Sequence, residues 1–476
     1  MVTAHAGPDA TERPTTPKKY VIASLIGNSL EWYDFFLYAT ASAVVFGTLL
    51  FPADIDPLLG TLGAFAGFAV GFAARPLGGI IFGHIGDRVS RKTSLVITLM
   101  VMGLSTTAMG LLPTYEHVGL TAPLLLIVFR IAQGIAAGGE WGGAVLLISE
   151  NSGTRRRGLL SAFSQGGICL GFVLSSFAFY IVQLLPEEQF MSWGWRLPFL
   201  VSIILLAVGI WIRRRLPETK MTQSEPAQAK AKLPMITAFR SYPRELFVAM
   251  GLRVAENGGS YIFLSFSVVY GVHVGVDRGL LILAVTFSMI FSFFSYLLFG
   301  YLSDLIGRRP VYAFGAVAMA VMAFPYFAMI DSNSPPVVFV AFLTANGICH
   351  GAMIGTQPAL FHELFPAKVR YSAMSIAHEI AAVFAGGLAP MIATALLLRF
   401  DSSTPIAVYL IIMCLITMVA VIGAYSVKRK WRFEDESADA SAAVSAQVSN
   451  EPFTAAAASV GNPSPPTDFH TPNGKN

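Results

Sequence analysis

Long apolar runs separated by short polar turns dominate the chain. Twelve runs can be counted, and each approaches or exceeds the roughly 20 residues that a helix needs to cross a bilayer. Several contain glycine and proline, which membrane helices tolerate. The pattern predicts an all-α membrane protein with twelve transmembrane helices, over residues 20–46, 60–82, 93–112, 121–148, 159–184, 196–213, 246–271, 279–302, 311–330, 336–361, 371–398 and 405–427.

One charged stretch between these runs occurs twice. Gly83–Lys92 and Gly300–Arg309 share a glycine, an aspartate four residues later and a basic pair at or near the end. An internal repeat of this length predicts two related halves of six helices each. The predicted organisation is a cytoplasmic N-terminal tail (1–19), a first half (20–215), a cytoplasmic central loop (216–245), a second half (246–430) and a disordered cytoplasmic tail (431–476).

Composition supports a membrane location. Hydrophobic residues make up 54% of the chain and charged residues 13%, whereas about a quarter of the residues of soluble proteins are charged. Of 32 lysines and arginines, the predicted outer loops hold only Arg278 and Arg399. Because basic residues favour the cytoplasmic side, we predict that both termini are cytoplasmic. The net charge of +4 follows from this topology and does not indicate nucleic-acid binding.

The sequence predicts no cofactor and no metal site. Cys169, Cys349 and Cys414 all fall inside apolar runs, which argues against a disulfide framework or a metal cluster. The glycine-rich stretches also lie inside apolar runs, where small residues let helices approach. Since neither a phosphate-binding loop nor a nucleophile motif is visible, we predict that the protein is not an enzyme.

Several motifs resemble those of a known family. Gly83–Lys92 resembles the loop-2/3 signature of the major facilitator superfamily, although Ser90 stands where that signature usually has glycine. Arg130–Gly134 and Arg215–Thr219 resemble the signatures of its fourth and sixth helices. More narrowly, four segments resemble the metabolite:proton symporter family of that superfamily: Glu31–Phe35, Arg75–Gly79, Gly138–Gly143 and Trp193–Arg196.

This resemblance implies a secondary active transporter. Members of the family import shikimate, α-ketoglutarate, citrate, or proline and betaine. The expected function is therefore import of a small organic acid, shikimate-like or a dicarboxylate, by proton symport and alternating access. The expected protein is a monomer in the lipid bilayer of a bacterial plasma membrane, with no nucleic-acid partner.

Three alternatives remain open. The first is a proline or betaine importer, although such relatives often carry a helical C-terminal extension with heptads, and no heptad is visible after Trp431. The second is a proton-antiport exporter, although residues 166–171 of the fifth helix lack the Gly-Pro signature of antiporters. The third is a membrane sensor, which would call for a soluble signalling domain.

Carboxylates inside membrane helices are the candidates for proton coupling, because charges there are costly and usually face a cavity or a partner. Burial favours the protonated carboxyl, whereas a nearby cation favours the ionised one. The resemblance implies that Arg130 is this cation, and a static buried salt bridge is the alternative. Four carboxylates qualify, with the first ranked highest: Asp34, Glu31, Glu140 and Glu379.

Arg75 is the leading candidate for binding substrate. Its planar guanidinium can bind a carboxylate through two hydrogen bonds, although an arginine near a helix end can also reach the interface. Arg253 and Glu256, three residues apart, are expected to pair with each other instead. Six further polar residues could line the substrate site: Arg130, Gln133, Gln165, Asn257, Tyr261 and His350.

The repeated charged stretches predict a gate. Both copies keep the aspartate as well as the cations, and aspartate contributes little to topology. We therefore expect salt bridges between helices that hold the cytoplasmic face closed, rather than topological anchoring alone. The predicted gate residues are Asp87, Arg88, Arg91, Asp304, Arg308 and Arg309.

Overall fold

The described part of the chain is almost entirely helical. The computed structural model describes residues 18–52, 54–88, 91–138, 157–215, 240–365 and 370–450. The first half contains α1 (Lys18–Ala41, continued through Ser42–Phe46 and Gly47–Leu49), α2 (Pro57–Arg88), α3 (Arg91–Gly110), α4 (Thr121–Ala137), α5 (Arg157–Gln183) and α6 (Leu197–Arg215). Short helices cover Tyr115–Val118, Glu187–Ser192 and Gly194–Arg196.

The second half repeats this arrangement of six long helices. It contains α7 (Pro243–Tyr261, continued through Ile262–Phe266 and Ser267–His273), α8 (Arg278–Ile306), α9 (Arg308–Asp331), α10 (Pro335–Phe342, Leu343–His350 and Gly351–Leu364), α11 (Arg370–Ala381, Ala382–Gly387 and Ala389–Phe400) and α12 (Thr404–Asn450). The middle segments of α7, α10 and α11 are π-helical. Such widened turns occur frequently at functional sites.

Local sequence explains several helix boundaries. Asp277 caps α8, since its carboxylate accepts a hydrogen bond from the backbone N–H of Leu280 at 2.8 Å. Gly307 separates α8 from α9 with a φ of +101°, a backbone conformation that glycine adopts without steric cost. Pro243 and Pro335 stand at the first turns of α7 and α10, where a missing N–H costs nothing.

The helix count agrees with the sequence prediction. Twelve long helical segments, α1 to α12, are present in the described residues. Eight spans there are long and apolar enough by length and composition to cross a membrane, and Val96–Gly110 and Thr121–Ala137 are shorter apolar helices. The predicted fourth span reached residue 148, but the described helix ends at Ala137 and the remainder lies outside the described residues.

The two halves belong to one compact unit that ends at Val427. Between the halves, α5 packs against α8 and α10, and α2 packs against α11. The first half ends with α6 at Arg215, and α7 begins at Pro243. Residues 216–239 of the predicted central loop lie outside the described residues.

The C-terminal segment forms a second unit, and the disordered tail stays a prediction. A second unit begins at Lys428, and its residues up to Asn450 are helical. The stretch from Trp431 to Asn450 contains no proline or glycine and is rich in alanine, which has the highest intrinsic helix propensity. Residues 451–476 lie outside the described residues.

Candidate functional site

A central cavity lies between the two halves. Its polar lining comes mainly from α7, α10 and α11, and the first half contributes side chains from α1 and α5. Four of the predicted substrate residues line it, namely Gln165, Asn257, Tyr261 and His350. The other lining residues are Trp32, Phe36, Ile168, Arg253, Glu256, Ser260, Leu264, Met289, Tyr296, Ile354, Gln357 and His378.

A buried charge network forms the second-half wall of this cavity. Arg253 and Glu256 pair within α7 at 3.7 Å, as their spacing predicts. His350 Nε2 of α10 lies 3.4 Å from Glu256 Oε1. Gln357, also on α10, donates to Glu256 at 2.8 Å and to the Tyr312 hydroxyl at 3.2 Å, and accepts from Arg253 at 3.1 Å. Glu256 is thus held by groups of its own half.

One ion pair joins the two halves beside the cavity. Arg75 Nη1 of α2 lies 3.6 Å from Glu379 Oε2 of α11. The other carboxylate oxygen, Glu379 Oε1, lies 2.9 Å from His378 Nδ1. His378 lines the cavity, so the pair forms part of the layer directly behind the cavity wall. Arg75 is 5% exposed, which excludes the alternative of an interfacial arginine reaching into water.

Aromatic rings surround the Arg75 guanidinium. Its central carbon lies 4.7 Å from the ring centre of Phe35 and 4.6 Å from that of Phe72, distances typical of cation–π contacts. Tyr261 of the second half packs against the same rings, with centre-to-centre distances of 6.1 Å to Phe35 and 5.5 Å to Phe72. Arg75 Nε has no hydrogen-bond partner within the part of the chain that the structure describes.

Arg130 lies in an aromatic cage inside the first half. Its guanidinium carbon is 4.6 Å from the Phe35 ring, 4.1 Å from Tyr38 and 4.6 Å from Phe68. Arg130 Nη1 donates to Gln133 Oε1 at 2.8 Å. Arg130 is 1% exposed, and neither it nor Gln133 is among the residues that line the cavity.

Asp34 also belongs to the interior of the first half. The Ser202 hydroxyl of α6 donates to its Oδ1 at 2.7 Å, and Thr106 of α3 is a second hydrogen-bonding partner. Thr106 accepts from Gln133 Nε2 at 2.6 Å. Asp34 and Arg130 are therefore connected by way of Thr106 and Gln133, rather than by the direct ion pair that the sequence suggested.

Close contact between α2 and α4 positions both arginines. A Cβ atom on Gly138, directly after α4, would collide with the carbonyl oxygen of Arg75, and one on Gly134 of α4 would collide with that of Gly71. Only glycine permits the two backbones to approach this closely. Arg75 on α2 and Arg130 on α4 consequently share the Phe35 ring as a contact.

One residue of the predicted gate, Asp304, contacts the first half of the protein. Asp304 of α8 accepts hydrogen bonds from the backbone N–H groups of Gly158 at 2.9 Å and Leu159 at 3.1 Å, in the first turn of α5. A carboxylate at this position satisfies N–H groups that have no partner in their own helix and meets the positive end of the helix dipole. Among the side chains that the structure describes, the contact that Asp304 makes between the halves is thus a helix cap.

The cations of this gate remain within the second half. Arg308 pairs with Asp304 at 2.7 Å and with Glu363 of α10 at 3.2 Å. Arg309 lies over the Tyr425 ring of α12, 4.6 Å from its centre. The side chains of Asp87, Arg88 and Arg91, which form the other copy of the motif, are not described by the structure.

Two further predicted residues are not placed in a site. Glu140 lies outside the described residues, and Glu31 is half-buried on α1. Sequence reasoning missed Gln357, which binds both members of the Arg253–Glu256 pair. The signal available was an amide directly before Pro358 within a predicted membrane helix.

Comparisons with known proteins now decide the family. A family model described as "Sugar (and other) transporter" matches residues 19–237, and one described as "Major Facilitator Superfamily" matches residues 254–463. The shikimate transporter of Escherichia coli (strain K12) is 37% identical over 412 residues, which are 85% of this chain and 94% of that protein. The chain belongs to the major facilitator superfamily.

Other superfamily members agree with this assignment. The proline/betaine transporter of Escherichia coli (strain K12) is 34% identical over 420 residues, covering 84% of this chain and 82% of that protein. Among solved structures, the xylose transporter of E. coli in a partially occluded inward open conformation has a TM-score of 0.67 at 18% identity. The match covers 86% of this chain and 97% of that one, and it shows a shared fold.

The assignment to the major facilitator superfamily confirms several predictions. The twelve-helix architecture and the family resemblance are confirmed, and the protein is a multi-pass membrane transporter rather than an enzyme. Its relatives are transporters of small molecules. The substrate of this chain is therefore a small molecule bound within the membrane.

Proposed function

We propose that this superfamily member imports a small organic acid together with protons, by alternating access of a central site to the two sides of the membrane. The supporting observation is Arg75, which is buried against two aromatic rings and whose ion pair with Glu379 is as long as 3.6 Å. A guanidinium at this depth is costly and marks a functional site by default. Its planar fork fits a carboxylate.

The cavity supplies groups that fit the rest of such a substrate. Gln165, Asn257 and His350 could hydrogen-bond to hydroxyl or keto groups, and Tyr261 closes the site toward the aromatic rings. Arg130 and Gln133 would act on the substrate indirectly, because Arg130 and Arg75 both contact the Phe35 ring. Asp34, Glu379, Glu31 and Glu140 are the proposed carriers of the coupling proton.

The membrane orientation and assembly are also part of the proposal. The concentration of basic residues in alternate loops supports cytoplasmic termini, with the Asp304 end of the helices on the cytoplasmic side. The relatives are proteins of bacteria, which supports a bacterial plasma membrane. We propose that one chain is sufficient, because both halves of the central cavity come from the same polypeptide.

A proline or betaine importer is the second candidate. Trp32, Phe36 and Tyr261 line the cavity together with Glu256, and aromatic rings with a carboxylate are typical of sites for quaternary ammonium groups. A proton-antiport exporter is the remaining alternative.

Uptake into proteoliposomes tests the proposal. Labelled shikimate, α-ketoglutarate, citrate and betaine are supplied with and without an inward proton gradient, to wild type, Arg75→Gln and the exposed control Arg399→Gln. We expect one acid to accumulate only with the gradient, in wild type and Arg399→Gln but not in Arg75→Gln. Accumulation of betaine alone would establish the second candidate, and efflux against a gradient would indicate an exporter.

A further inference from the structure

We infer that Glu379 and the carboxylate of the substrate exchange places on Arg75, and that Glu379 is the group that then takes up the coupling proton. The inference rests on the proposed function and adds the step that links substrate binding to proton binding. It also assigns His378 as the residue that positions Glu379 and connects it to the cavity.

The two oxygens of Glu379 are held unequally. Oε1 lies 2.9 Å from His378 Nδ1, a full hydrogen-bond distance. Oε2 lies 3.6 Å from Arg75 Nη1, which is too long for a hydrogen bond, and has no hydrogen-bond partner among the described residues. Glu379 is therefore hydrogen-bonded within its own helix, to His378, whereas its contact with Arg75 of α2 is a longer ion pair.

Little of the Arg75 guanidinium is accessible to a substrate. Phe35 and Phe72 pack on its guanidinium, and its Nε is buried without a hydrogen-bond partner in the described part of the chain. A substrate carboxylate that binds in the plane of the guanidinium would make two short, charge-assisted hydrogen bonds. Such a carboxylate competes with Glu379 for the same cation, because one guanidinium between two rings has little room for both.

When the substrate displaces Glu379 from Arg75, too little positive charge remains near the Glu379 carboxylate to stabilise its ionised form. The charged and titratable groups that act on it are Arg75 from α2, His378 from its own helix α11 and Arg253 from α7. Arg253 is already paired with Glu256 at 3.7 Å. A buried carboxylate that loses its cationic partner is unfavourable in its ionised form by several kcal/mol, and protonation removes most of this penalty. Substrate binding should therefore draw one proton onto Glu379, with His378 as its contact with the cavity.

The location of the pair distinguishes Glu379 from the other buried carboxylates. Asp34 is hydrogen-bonded to Ser202 within the first half, and Glu256 is held by Arg253, His350 and Gln357 within the second. Glu379 binds across the two halves, between α11 and α2. Protonation of Glu379 thus removes a contact between the halves, which protonation of Asp34 or Glu256 does not do.

Proton uptake on binding tests the exchange. Purified full-length protein in weakly buffered detergent solution is titrated with shikimate, and a pH indicator reports the protons bound per shikimate. We expect about one proton per shikimate for wild type, since one carboxylate replaces another. We expect none for Glu379→Gln, which should still bind shikimate. The control Glu187→Gln removes an exposed glutamate that lies 3.5 Å from Arg278 of the other half. This variant should still take up about one proton per shikimate.

The pH dependence of the wild type gives a second readout that needs no variant. If one proton accompanies shikimate, its Kd should rise about tenfold per pH unit on the alkaline side. Shikimate binding without proton uptake and with a flat pH dependence overturns the exchange and leaves an organic-acid function in place. Proton uptake that persists in Glu379→Gln and vanishes in Asp34→Asn also overturns it. Failure of wild type to bind any of the acids refutes the proposed function itself, and the exchange with it.

Discussion

The hydrogen bonds by which Asp304 caps α5 should stabilise the closed contact between the two halves at one end of the transporter. Its carboxylate accepts two backbone hydrogen bonds from the other half, at 2.9 and 3.1 Å. Hydrogen bonds to a charged group contribute about 1.5–3 kcal/mol each. In Asp304→Asn one carbonyl oxygen remains and the charge is lost, so we expect the closed contact to weaken by about 2 kcal/mol. This corresponds to about a 30-fold shift toward the open state.

A cysteine next to the cap reports this shift. Ser303 is fully buried and faces Gly158 of α5, so Ser303→Cys should react with N-ethylmaleimide only when the two helices separate. In a background without the three native cysteines, Asp304→Asn should accelerate this reaction by up to about 30-fold.

The matched control for this measurement is Asp277→Asn. Asp277 caps α8 at its own first turn, with the Leu280 N–H at 2.8 Å, and makes the same kind of bond within one half. An unchanged labelling rate in Asp304→Asn, or an equal acceleration in Asp277→Asn, would refute the reasoning.

Two further predictions concern stability in detergent. Gly78→Ala should lower the melting temperature markedly, because a Cβ there collides with the Ile135 carbonyl oxygen, whereas Gly79→Ala, whose nearest contact is 3.4 Å away, should not; equal shifts would contradict the backbone contact. Glu256→Gln should destabilise by about 3 kcal/mol, since it leaves Arg253 buried and unpaired. The double variant Arg253→Met with Glu256→Leu should recover most of this loss in denaturant titrations, and no recovery would show that the unpaired Arg253 is not its main cause.

Periodic features of the fold could be predicted from the sequence. The twelve apolar runs and the repeated Gly83–Lys92 and Gly300–Arg309 stretches determine the helices and halves, because the bilayer fixes the length of each span. The spacing of Arg253 and Glu256 predicted their pairing, because residues three apart share a helix face.

Contacts between distant helices could not be predicted in this way. Arg75 and Glu379 meet across the two halves, which depends on how α2 and α11 are rotated about their axes. Asp34 was expected beside Arg130, but it accepts a hydrogen bond from Ser202 of α6, and Gln133 and Thr106 connect it to Arg130. Asp304 forms a salt bridge with Arg308 of the next helix and also caps α5. The cap could not be predicted, because a sequence does not show which backbone N–H groups lie near a distant side chain.

The central claim is that the acid and the proton move together in the same direction. Proteoliposomes that contain the protein and a trapped pH-sensitive dye are prepared at equal pH on both sides, and shikimate is added outside. The account predicts that the lumen acidifies with wild type, and does not acidify with Glu379→Gln or in protein-free vesicles. Entry of labelled shikimate without acidification, or with alkalinisation of the lumen, would contradict it.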